Sequence, residues 1–210
     1  MKRLNGKGFT LIELLAVITI MGILMLVAIP AVSRTIENSR RDTFADVAKT
    51  YINAVRNSVL ADELDCGTGN DKESVGATGT GIYYFKIDSN AQQTKDIIES
   101  GGKSSWSNAR VMGYVKWEKK QAAVSNTQSE GEGEGQSATP QTKQETKTEY
   151  SIVLVDTGKH GIDDETLETE LTRASVKTTT NNLKAGSDYS KYPTKGSETN
   201  APDVTECYLR

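Results

Sequence analysis

Gly8-Phe9-Thr10-Leu11-Ile12-Glu13-Leu14-Leu15-Ala16-Val17 decides how this 210-residue chain is organised. A short basic leader carrying Lys2, Arg3 and Lys7 ends at Gly8, and an apolar run occupies residues 9–32. One carboxylate, Glu13, interrupts that run. An ordinary secretory signal has a shorter apolar region followed by a small-residue cleavage site. Here the basic part stops at glycine and the apolar part comes after it. As a helix the run would extend about 36 Å at roughly 1.5 Å per residue, which is enough to cross hydrocarbon about 30 Å thick. The leader cations would hold the N-terminus on the cytoplasmic side. A carboxylate inside such a span is unfavourable by about 2.5–3.5 kcal/mol on insertion scales, and it usually marks a partner or a function.

The stretch resembles the processing site and N-terminal helix of type IV pilins and their pseudopilin relatives. That resemblance implies that a prepilin peptidase cuts between Gly8 and Phe9 and methylates the new amino terminus of Phe9. It also implies that Glu13 faces the Phe9 amine of a neighbouring subunit during filament assembly. Read from the residues alone, Glu13 could instead be a carboxylate snorkelling to the interface. Gly22 and Pro30 weaken the helix interior. In the resembling family the stretch between such residues can unwind within the filament; simple packing in a membrane helix also accommodates them.

The implied fold is α+β: a long N-terminal helix, membrane-spanning in its first half, with a head of antiparallel sheet packed on its second half, ladle-like as in pilins. The expected layout is a leader at residues 1–8 and a transmembrane and assembly helix at 9–32. An amphipathic continuation follows at 33–65, then a globular head at 66–210. Apolar residues Ile36, Phe44, Val47, Ala48, Tyr51, Ile52, Val55, Val59 and Leu60 recur at three- and four-residue steps, so the continuation needs a partner for one face. The helix is expected to end near Leu64, with Gly67 and Gly69 supplying the stop. Clean heptads are missing, so packing on a head accounts for the stripe better than a coiled coil does.

Within the head, strands are expected at residues 82–87, 111–118, 150–155 and 204–209, with helices at 90–100 and 163–173. Residues 119–148 contain Glu130-Gly131-Glu132-Gly133-Glu134-Gly135 and read as a low-complexity, disordered insertion. It is either a solvated loop or a variable surface region contacting host or neighbouring cells.

Composition fits an exported protein: 36% of residues are hydrophobic and the net charge is −3. Loss of the three leader cations takes the net charge to −6. No clustered basic patch suggests a general nucleic-acid surface. Cys66 and Cys207 are the only cysteines, and an exported chain with an even count often pairs them, the alternative being two free thiols. Such a bond would tie the C-terminal strand to the end of the long helix. His160 is the sole histidine, which leaves no triad or histidine-rich metal site. It is expected in a solvent-facing turn. Asp163-Asp164-Glu165 is expected as a capped acidic helix start rather than a calcium site, so no metal, cofactor or catalytic residue is expected.

The function implied is that of a structural filament subunit, not an enzyme. Expected partners are itself and other pilins in a helical filament, prepilin peptidase, assembly platform and motor proteins, the cytoplasmic membrane, and a host- or cell-surface ligand. The chain would sit in the cytoplasmic membrane before assembly and in an extracellular filament afterwards. Two alternatives stand beside this: a pseudopilin of a type II secretion or DNA-uptake system, and an adhesive or sensor head on a permanent anchor.

Overall fold

The computed structural model describes residues 9–67, 73–74, 80–98, 109–121, 146–157, 160–178, 193 and 204–210. One helix, α1, spans Leu11–Leu60. After it come β1 (Leu64–Cys66), β2 (Glu73–Ser74), β3 (Gly81–Asp88), α2 (Gln92–Ile97), β4 (Val111–Gln121), β5 (Thr146–Asp156), β6 (His160–Leu167), β7 (Lys177–Thr178) and β8 (Val204–Leu209). Two 3₁₀ turns, Glu168–Glu170 and Arg173–Ser175, lie between β6 and β7. The chain divides into two compact units, residues 1–40 and residues 41–210.

In the first unit α1 is apolar and exposed. It is long and apolar enough to cross a membrane by length and composition, and none of its most apolar window is buried. Pro30 lies inside it.

Among the described residues the second unit holds an eight-stranded sheet in the order β2-β1-β8-β3-β4-β5-β6-β7. Its paired strands are antiparallel except β3 and β8, which run parallel from Ile82↔Val204 to Phe85↔Cys207. One face packs on the C-terminal part of α1. There Phe44, Ala45, Ala48, Tyr51, Ile52, Val55 and Ser58 are buried, a stripe at helical spacing. Against it lie Phe85 and Ile87 of β3, Val111, Val115 and Trp117 of β4, and Ile152 and Leu154 of β5. The alternate positions Tyr84, Met112, Tyr114, Val153 and Val155 form a second buried cluster, because successive side chains on a strand point to opposite faces. The sheet is therefore apolar on both sides at its centre. Gly113 carries no Cβ where one would overlap the carbonyl oxygen of Val153, and its φ is +155°.

Several expectations change on this fold. Ile36 and Leu60 are exposed and Val47 and Val59 only partly buried, while Ala45 and Ser58 complete the stripe. The helix stops earlier than Leu64, and no glycine stops it. Asp62 takes the left-handed conformation at φ 57°. The amide of Glu63 donates to Ser58 O at 2.9 Å and that of Asp62 to Val59 O at 3.4 Å, a Schellman closure built on an aspartate. Leu64 then enters β1.

The helix expected at 163–173 is strand followed by 3₁₀ turns. Pairing of Leu154↔Ile162 and Val155↔Gly161 overrides the local preference for an acidic helix start. Glu165 makes an ion pair with Lys116 and Asp164 one with Lys177, rather than either capping a helix. His160 is 9% exposed, at the start of β6 rather than in a solvent-facing turn. The ends of the expected insertion are strand: β4 continues to Gln121 and β5 begins at Thr146. Residues 122–145, with the glutamate–glycine run, lie outside the described residues.

Candidate functional site

The carboxylate of Glu13 sits within an otherwise apolar helix start. Thr10 precedes the helix, and its backbone amide donates to Glu13 Oε2 at 2.8 Å while its hydroxyl donates to the same oxygen at 2.9 Å. In return the amide of Glu13 donates to Thr10 Oγ1 at 3.4 Å. This is a reciprocal capping box, Thr-x-x-Glu, which satisfies amides that the first helical turn leaves without partners. The sequence signal for it is Thr10-Leu11-Ile12-Glu13, a Thr-x-x-Glu spacing that the membrane-length apolar run around it masks.

The box has a chemical consequence. Both donors use Oε2, and among the described residues none donates to Oε1. Glu13 can therefore cap its own helix and still offer one carboxylate oxygen to a cation. Phe9, one residue before the cap, is 89% exposed. The amide that serves the box belongs to Thr10, so cleavage before Phe9 leaves it intact. Gly8 and the rest of the leader lie outside the described residues.

Gly22 and Pro30 are both helical. A Cβ placed on Gly22 would meet nothing within 4 Å. Near Pro30, which lacks an amide proton, Ser33 Oγ donates to the carbonyl of Ile29 at 3.0 Å. Side chains of this kind back-bond to a preceding turn and often bend helices.

In the second unit Cys66 of β1 and Cys207 of β8 stand opposite each other in register and are joined by a disulfide. Arg210 Nη2 reaches Asp65 Oδ1 at 2.7 Å beside it. Asp88 and Arg110 form a two-pronged ion pair across the connection from β3 to β4, with Nε to Oδ1 at 2.8 Å. The Arg110 guanidinium holds the Asp88 carboxyl below the usual carboxylate range, against the opposing effect of burial. Among the described residues no group of three or more His, Cys, Asp or Glu could hold a metal ion. The Nδ1 of His160 lies 3.8 Å from the carboxylate of Asp156.

Residues 3–29 match the model of the prokaryotic N-terminal methylation motif. No curated protein and no solved structure matches the chain. The chain carries the prepilin-type cleavage signal of type IV pilins and pseudopilins, on a long apolar helix followed by an antiparallel-dominated sheet.

Proposed function

We propose that this chain is the structural subunit of a type IV pilus-like surface filament. In this reading prepilin peptidase removes residues 1–8 and methylates Phe9, and the mature chain polymerises through α1. The observation that carries it is the match at residues 3–29 on a helix whose apolar window is wholly exposed. Exposed apolar surface on this scale needs either lipid or protein to cover it. A membrane before assembly and other copies afterwards supply both in turn. Assembly platform and motor proteins would provide the energy, and the unit from residue 41 onward would face outside the cell.

Glu13 has a definite part in this scheme. Its Oε1 accepts a hydrogen bond from the methylated amine of Phe9 in a neighbouring copy while Oε2 keeps the capping box. A charge pair in a low-dielectric surrounding is far stronger than in water, so the pairing selects the axial register of the incoming subunit. Gly22 and Pro30 would allow the stretch between them to lengthen.

Two measurements test this. The mass of the exported chain should begin at Phe9 with one added methyl; retention of residues 1–8 would refute processing. Glu13→Gln keeps an acceptor for the capping box but removes the charge, whereas Thr10→Ala removes the cap and keeps the charge. Filaments should be lost in the first variant and persist in the second. Normal filaments from Glu13→Gln would reduce Glu13 to a helix cap. A processed chain that never enters surface fibres would instead favour a secretion or DNA-uptake pseudopilus.

A further inference from the structure

The hairpin of β4 and β5 runs further than the strands on either side of it. The two pair as far as Gln121↔Thr146. However, β3 begins only at Gly81, opposite Lys119, and β6 ends at Leu167, opposite Ser151. Past Leu167 the chain turns into the 3₁₀ segment Glu168–Glu170. A cavity of about 260 Å³ opens there between residues 147–150 and residues 167–169. Among the described residues no strand pairs with the outer edge of β5 from Thr146 to Tyr150. Alternate residues of an edge strand direct their amide and carbonyl groups away from the sheet, which makes the edge a template for another strand.

Natural edges are commonly protected by lysines, which repel a second copy of themselves. This edge carries one lysine and one glutamate, Lys147 and Glu149, two residues apart on one face. Their 2.9 Å ion pair is solvent-accessible, with Lys147 71% exposed. Glu149 also lies 3.6 Å from Lys120 of β4, and exposed pairs of this kind contribute little to stability. Place a second copy of the segment antiparallel to the first, centred on Thr148. Each Lys147 then stands opposite a Glu149, twice, and Thr148 stands opposite Thr148. A parallel copy in register would set lysine against lysine and glutamate against glutamate. The charge pattern is self-complementary in the antiparallel arrangement only.

We propose that the outer edge of β5 is a docking surface for a second copy of this chain, paired antiparallel across a two-fold axis at Thr148. A two-fold contact uses the same patch on both partners, unlike the head-to-tail contacts that build a helical filament. If the filament reading above holds, on which this extension rests, the contact joins subunits of two neighbouring filaments and bundles them side by side. A strand this short binds weakly, but repetition along two filaments multiplies weak contacts into a stable one.

The test uses the full-length chain in detergent micelles, with Thr148→Cys added and copper–phenanthroline as the oxidant. Opposed strand positions lie close enough for a disulfide. A dimer linked through position 148 should form at least about tenfold faster than one through Thr50→Cys, an exposed control position on α1. Adding Lys147→Glu should suppress the dimer, and Lys147→Glu with Glu149→Lys should restore it. Equal rates in all three charge backgrounds, or a rate no faster than the control, would overturn the proposal. Absence of surface filaments would count against the filament reading alone, since the micelle result stands without it. Filaments of the Lys147→Glu variant that bundle like the parent would overturn the bundling role.

Discussion

Removing the Cys66–Cys207 bond should loosen the sheet at a junction, not merely free a tail. The bond closes a segment with a sequence separation of 141 residues. Loop-closure entropy for such a length gives about 5 kcal/mol at 25 °C as an upper figure, and native disulfides more commonly contribute about 2–4. The lower range applies here, because β8 is also held by pairing to β1 and β3 and by Arg210 on Asp65. Both sulfurs belong to residues almost wholly buried in the core, Cys66 at 4% and Cys207 at 1% exposure. Alanine is therefore the right replacement, since serine would add the cost of a buried hydroxyl. A loss of about 3 kcal/mol in a unit of this size lowers Tm by roughly 6–12 °C. The location of the loss is more diagnostic than its size. β8 lies between β1 and β3, so when it opens β1 loses the strand that joins it to the rest of the sheet. Hydrogen exchange on the full-length Cys66→Ala/Cys207→Ala chain should show β1 and β8 losing protection together, while β4 and β5 keep theirs. A Tm within about 1 °C of the parent, or protection lost in β8 alone, would refute this reasoning.

Two further outcomes follow from the sheet. Gly113→Ala would drive a methyl group into the backbone at Val153. It should destabilise the second unit by more than about 3 kcal/mol, read as insoluble or heat-sensitive protein; a soluble variant melting with the parent would contradict the close approach. Arg110→Ala should cost about 1 kcal/mol at pH 7, a modest figure because the pair is partly exposed. The Asp88 carboxyl is held below its ordinary value by Arg110, so its contribution is present above the unfolded value near about pH 4 and disappears as pH falls through the lower folded value. The stability gap between parent and variant, measured by denaturant titration from pH 7 downward, should close below about pH 4. A gap that stays constant would place the effect of Arg110 elsewhere.

Local chemistry in the first thirty residues carried the membrane-length helix, the processing signal and the exceptional carboxylate, because each rests on neighbours in the chain. The strands at 82–87, 111–118, 150–155 and 204–209 were legible for the same reason: β-branched and aromatic residues repeat within a short window. The acidic segment from Asp163 was misread as helix. Its first turn looks like a helix start, and only the pairing of Ile162 with Leu154 makes it a strand. His160 looked exposed in the sequence because nothing nearby reveals that Phe44 of α1 lies across from it, with ring centroids 6.2 Å apart. The stop of α1 at Asp62 was hidden by the glycines that follow. The parallel insertion of β8 between β1 and β3 depends on residues more than a hundred positions apart. Hydrophobic period and turn chemistry act over a few residues and were readable in the chain. Strand order and register are set by which distant segments bury one another's apolar faces, and only the tertiary structure decides that.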